Sequence, residues 1–187
     1  LAPGFALVDQ DGAVVTNESL RGQIVLYTFG YTRCDARCAD LTATMRLVQD
    51  GLTGLDLADV PVRLITISFD PAHDSPSVLA DYARSLGANP AVWRFLTGDA
   101  PRLKYILGGG FEVYYAADDK GGFDFDSALV LVDWSGIVRA KYDLRAVTPD
   151  PTRILEHIAL LAVEARNSTG PTRLAYEAAH LFLCYAR

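Results

Sequence analysis

The sequence predicts an α/β domain: a central mixed sheet with helices on both faces, an N-terminal hairpin and an extra C-terminal helix. Three observations carry this. Two apolar runs, residues 23–29 and 62–69, read as strands buried on both faces. A helical pattern follows each, so strands and helices alternate. A second strand pair and a further helix then close the core. With 187 residues, half of them hydrophobic, the chain can build one such domain with a sizeable interior.

Each element has its own signal. Phe5–Asp9 and Ala13–Thr16 flank the turn Asp9-Gln-Asp-Gly12 and read as the opening hairpin. Asn17–Ser19 suit one helical turn, closed by Arg21-Gly22. Gln23–Phe29 is the first central strand. After the loop Gly30-Tyr-Thr-Arg33, a helix is expected over 35–49, with Leu41, Met45 and Val48 on one face and Gly51 as its stop. Val62–Phe69 is the second central strand, ended by Asp70-Pro71. Ser75-Pro76 combines a capping side chain with a proline suited to the first helical position. Trp93–Leu96 reads as a strand, Asp99–Leu107 as a helix and Glu112–Ala116 as extended chain. Ser127–Asp133 and Ile137–Tyr142 flank the turn Trp134-Ser-Gly136. Thr148-Pro149 is expected to start the helix that buries Ile154, Leu155, Ile158, Leu161 and Ala162. The main domain is placed at 1–166. The polar linker Asn167–Pro171 and the helix Arg173–Arg187 form an appended segment, 167–187.

Charge and cysteine count narrow the function. Seventeen Lys and Arg against 23 Asp and Glu leave a net charge of −6, with no basic run, so no nucleic-acid partner is expected. No apolar run approaches the ~18 residues that span a bilayer. The chain starts at Leu1 rather than Met, which leads us to expect a removed N-terminal segment, a membrane anchor among the options. The three cysteines, Cys34, Cys38 and Cys184, are too few for a disulfide framework.

Cys34 and Cys38 stand between a buried strand and a helix. A cysteine at a helix N-terminus faces unpaired N–H groups and the positive end of the dipole, which favours its thiolate. Arg33 and Arg37 add to this and Asp35 opposes it. Positions four apart share a helix face, about 6 Å between Cα atoms, within disulfide range. Two convergent thiolates also suit soft Cu(I). The ordinary alternative is a pair of small buried hydrophobes. A thioredoxin-type dithiol has two intervening residues rather than three and needs a cis-proline loop, yet no proline lies between Pro101 and Pro149. A peroxiredoxin places Thr or Ser three residues before its cysteine, whereas Thr32 is two before Cys34.

Taken in order, several blocks resemble the Sco (SenC/PrrC) family of thioredoxin-fold, copper-binding proteins of cytochrome oxidase assembly. Phe5–Gly12 resembles the family's opening hairpin and Leu20–Leu26 its strand before the site. Phe29-Gly-Tyr-Thr-Arg-Cys34-Asp-Ala-Arg-Cys38 resembles its F-G-Y-T-x-C-x-x-x-C block. Ile67–Pro71 with Asp74-Ser-Pro76 resembles its V-D-P-x-x-D-T-P segment, and Asp126-Ser-Ala to Gly136 its H-S-A, L-V-D, G hairpin. The match covers about residues 4–165. The resemblance implies an extracytoplasmic, membrane-tethered metallochaperone. Its partner is the copper-site subunit of a haem-copper oxidase or another copper chaperone, with Cu(I) on Cys34 and Cys38. It equally implies a thiol–disulfide oxidoreductase that keeps partner cysteines reduced. A partner-binding module holding no metal is the third reading.

The family's third ligand, a histidine in the later loop, has no counterpart. Counting back from Asp133 and Gly136 puts Phe125 there; matching the following Ser-Ala puts Asp126 there. A carboxylate is a hard ligand that suits Cu(I) badly, and a phenyl ring is none. His73 reads as an exposed loop residue and His157 as a boundary residue. His180 and Cys184 share a helix face and form a candidate second soft-metal site, against the plainer reading of a buried terminal helix or a dimer contact. Tyr27, Phe29 and Tyr31 read as packing. Asp70 and Asp74 are expected to shape the loop beside the dithiol rather than act as an acid–base pair.

Overall fold

The computed structural model describes residues 1–34, 36–57, 59–143 and 150–168. Among the described residues, nine strands carry the architecture: β1 (Ala6–Asp9), β2 (Val14–Thr16), β3 (Ile24–Gly30), β4 (Val62–Ser68), β5 (Trp93–Thr97), β6 (Tyr115–Ala117), β7 (Phe123–Phe125), β8 (Ala128–Val132) and β9 (Val138–Asp143). Among the same residues, four α-helices join them: α1 (Ala36–Gly51), α2 (Pro76–Ser85), α3 (Ala100–Lys104) and α4 (Pro151–Asn167).

The main sheet has the order β2-β1-β5-β4-β3-β8-β9. Strands β5, β4 and β3 are parallel; β8 runs antiparallel to β3, and β9 to β8. β3 is buried along its whole length, as its unbroken apolar run requires. Its alternate residues serve two cores. Leu26 and Thr28, level with Leu131 and Leu129 of β8, face α1, α2 and α4. Val25, Tyr27 and Phe29 face the N-terminal segment and Phe111, with ring centroids of Tyr27 and Phe29 at 4.9 and 5.1 Å from that of Phe111. Burial pushes the Tyr27 phenol well above its ordinary pKa.

Local chemistry sets the element ends. The Ser75 side chain accepts from the Val78 N–H and Pro76 opens α2, an arrangement worth about 1 kcal/mol. The β8–β9 turn is organised by Asp133, which accepts from the N–H groups of Ser135 and Ile137 and from Arg139. Burial pushes the Asp133 carboxyl up, but those donors outweigh it and hold it below the usual range. Arg139 also bonds Glu164, which fastens the hairpin to α4.

Several expectations are corrected. The helix expected over 99–107 stops as an α-helix at Lys104 and continues as a π-turn over Tyr105–Gly110, because three successive glycines hold a regular helix poorly. In the stretch expected to be extended, only Tyr115–Ala117 is a strand; Glu112 has φ +56°. Residues 123–125, to which the sequence assigned no element, pair antiparallel with β6. The last helix is capped by Asp150 and opens at Pro151; Thr148-Pro149 lies outside the described residues. Gly51 is the last residue of α1, as expected, and a Cβ there would collide with Leu155 of α4. That glycine is a point of close helix approach. The segment from residue 169, with the expected C-terminal helix, lies outside the described residues.

Candidate metal and thiol site

Strand β3 ends at Gly30, and the chain turns through Tyr31–Cys34 into α1. The Cys34 N–H donates to the Tyr31 carbonyl at 3.2 Å. Cys34 stands just before α1 and Cys38 in its first turn. The two are joined as a disulfide, with Cα atoms 5.7 Å apart. Cys38 is 6% exposed, whereas Cys34 is half-buried, so an incoming reagent meets Cys34 first. A Cβ on Gly30 would stand 3.1 Å from the Cys38 Sγ, so the strand end must stay bare to admit the sulfur. Behind Cys38, between the sheet and α1 and α2, is a cavity of about 20 Å³ lined in part by Thr28, Thr66 and Tyr82, room for about one water.

One flank of the disulfide is polar. Asp74, fully buried, accepts from the Thr32 N–H at 3.0 Å, the Thr32 hydroxyl at 2.6 Å and the Ser68 hydroxyl. Asp70, 3% exposed, accepts from Arg33 Nε at 3.2 Å and Nη2 at 2.7 Å, and lies 3.1 Å from His73 Nδ1. Burial pushes the Asp70 carboxyl up; the hydrogen bonds of Arg33 and His73 and their charges outweigh it, and the net shift is downward. Both carboxylates thus hold the residues just before Cys34, as expected of a loop-shaping pair. The side chains of Asp35 and Arg37 lie outside the described residues.

The other flank is aromatic. Tyr31 meets Phe123 edge-on at 5.1 Å between centroids, and Phe69 stacks on Tyr115 at 4.7 Å. Phe125 packs against both Tyr31 and Phe69. The Phe123 N–H donates to the Tyr31 hydroxyl at 3.3 Å, which ties the β6–β7 hairpin to the cysteine loop. Tyr27, Phe29 and Tyr31 are therefore packing residues.

The two positions considered for a third ligand diverge. The Phe125 ring belongs to the aromatic cluster. Asp126 accepts from the Tyr114 N–H at 3.0 Å and its own N–H donates to the Tyr114 carbonyl. Among the described residues, no group of three or more His, Cys, Asp or Glu could hold a metal, so Asp126 is not gathered with the cysteines: its carboxylate binds hairpin backbone instead. His73 is half exposed on its loop. His157 sits at the boundary, stacked on Tyr142 with Nδ1 2.6 Å from the phenol oxygen. His180 and Cys184 lie outside the described residues. Sequence reasoning missed the β6–β7 hairpin. Its signal was present: Asp118-Asp-Lys-Gly-Gly122 is a turn, with Asp118 accepting from the N–H groups of Lys120 and Gly122.

A mixed sheet with a disulfide where a central parallel strand turns into its helix defines a thioredoxin-like domain with a thiol–disulfide site. The SCO1/SenC family model matches residues 1–162, and the chain belongs to that family. The chain is 36% identical over 94 residues to the SCO1 protein homolog of Bacillus subtilis, covering 50% of this chain and 47% of that one. It thus spans about half the length of that curated relative. Among solved structures, BsSco, described as a Sco-family cytochrome c oxidase assembly protein with a disulfide switch, matches with a TM-score of 0.73 and 27% identity, covering 87% of this chain and 93% of that one. Arabidopsis thaliana ScoI with copper bound matches in fold, with a TM-score of 0.75 and 21% identity, covering 87% and 98%.

Proposed function

We propose that this domain carries copper as cargo. Cu(I) is held between the sulfurs of Cys34 and Cys38 and passed to the copper-site subunit of a haem-copper oxidase, or received from another copper chaperone. It works on the extracytoplasmic side of a membrane to which it is tethered. The observation that carries this is the cysteine pair itself: two sulfurs on one helix end, one half-buried and one buried, in a SCO1/SenC domain. The copper named for a structural neighbour and the oxidase assembly named for BsSco support this reading over a free-standing thiol reductant or a metal-free module.

The chemistry requires reduction first. An external dithiol supplies two electrons and two protons, the S–S bond breaks, and two thiols are released for the metal. Two thiolates suit Cu(I) in a near-linear site, which needs no third protein donor. The two sulfurs are soft donors and the Asp126 carboxylate is not gathered with them, so the site favours Cu(I) over Cu(II).

Anaerobic titration of the reduced protein with Cu(I), against a chromophoric chelator, tests this. One ion per chain is expected. Cys34→Ser and Cys38→Ser should each weaken binding by more than about 100-fold, since even outer-shell changes reach that figure. Serine variants that bind as well as the wild type would overturn the reading.

A further inference from the structure

A surface groove runs between α1 and α2, and the disulfide forms one end of it. Cys34 and Cys38 line it together with Thr32, Ala39, Ala43 and Leu86. Its volume is about 470 Å³. Ala39 and Ala43 are both exposed and lie one turn apart on α1, beside the row formed by Cys38, Thr42 and Arg46. Two alanines leave a shallow floor that a backbone can approach. From Cys38 to Arg46, which also lines the groove, the helix rises about 12 Å, the reach of three or four extended residues. Leu86 and Tyr82, both half-buried on the α2 side, add an apolar wall.

We propose that this groove seats the extended segment of the partner that carries its exchanging or copper-accepting cysteine, with an apolar side chain of that segment against Ala43 and Leu86. The inference rests on the thiol site described above. The groove is continuous with the disulfide. A segment lying in the groove ends at Cys34, the sulfur open to attack, and a thiol is the group that both exchanges with this disulfide and takes Cu(I) from it. Among the described residues, the opposite flank is closed by the Tyr31, Phe69 and Phe123 rings.

The test uses full-length protein carrying Cys38→Ser and Cys184→Ser, so that Cys34 is its one thiol. The probe is an eight-residue peptide with a central cysteine and a leucine two positions away, activated as its mixed disulfide with thionitrobenzoate. The Cys34 thiolate attacks the peptide sulfur, a Cys34–peptide disulfide forms, and thionitrobenzoate leaves as a coloured thiolate with the bonding electron pair. Ala39→Gln with Ala43→Gln fills the groove at exposed positions, without changing charge and with good helix formers. The peptide rate should fall by about tenfold, the equivalent of 1.4 kcal/mol of docking, while the rate with the small reagent dithiobis-nitrobenzoate changes less than twofold. Ala43→Gln alone should give an intermediate loss. If both reagents slow alike, or neither slows, the groove is not the docking surface. Cu(I) titration of the groove variant with all cysteines restored separates the two claims: loss of the docking effect with copper binding intact sinks the groove alone, and a docking effect without copper binding sinks the copper reading alone.

Discussion

The two flanks of the disulfide are built by opposite physics. On the loop flank, two buried carboxylates, Asp70 and Asp74, are satisfied by Arg33, His73, Thr32 and Ser68. On the hairpin flank, Tyr31, Phe69, Tyr115, Phe123 and Phe125 interlock with centroids 4.7 to 6.3 Å apart. The polar flank orients the turn that presents Cys34, because directional bonds to a buried acceptor tolerate little displacement. The aromatic flank excludes water and fastens the hairpin, but its rings bring no ligand for copper. Orientation and closure are thus divided between the two sides, and neither adds a donor to the sulfurs.

Phe69→Ala should break the aromatic side most. The ring is 2% exposed and touches four others, so its removal should cost about 4 kcal/mol in urea unfolding, with a similar loss at pH 7 and pH 3. A loss under about 1 kcal/mol would mean that the hairpin is not held by these rings. Asp74→Ala attacks the polar side. It leaves the Thr32 N–H and two hydroxyls without their acceptor and should cost about 3 kcal/mol, with faster hydrogen exchange at Thr32. Unchanged exchange there would show that Asp74 does not order the turn.

The smallest effect is the most diagnostic. Arg33 is 45% exposed, so Arg33→Ala should cost only about 1 kcal/mol at pH 7. The sign with pH follows from Asp70, whose pKa is depressed in the folded chain. Its contribution is present above the ordinary carboxylate value, about 3.9, and is lost as pH falls through the lower folded value. The gap between wild type and Arg33→Ala should therefore close on acidification. A gap that is constant from pH 7 to pH 2 would remove the charge-assisted account of this flank.

Much of this was legible in the sequence because it is local. The strand, turn and helix around Cys34 follow from one apolar run and a four-residue cysteine spacing. Ser75-Pro76 announces α2 by the same kind of nearest-neighbour chemistry. The loop role of Asp70 and Asp74 was readable from their place after β4, although their donors from the cysteine loop were not, since Thr32 and Arg33 lie about 40 residues away. The aromatic cluster was illegible for the same reason: its rings come from four separate segments that only the folded sheet brings together. The π-turn at 105–110 escaped because apolar spacing cannot distinguish an α-helix from a widened turn over so short a run. The hairpin at 115–125 was hidden by shortness, with three residues per strand.

The central claim is that two thiolates hold the metal without a third protein donor. X-ray absorption at the copper edge of the reduced, Cu(I)-loaded protein tests it most directly. Two sulfur scatterers and no imidazole pattern are predicted, unchanged in Asp126→Ala. An imidazole signal, or an oxygen scatterer that is lost in Asp126→Ala, would contradict it.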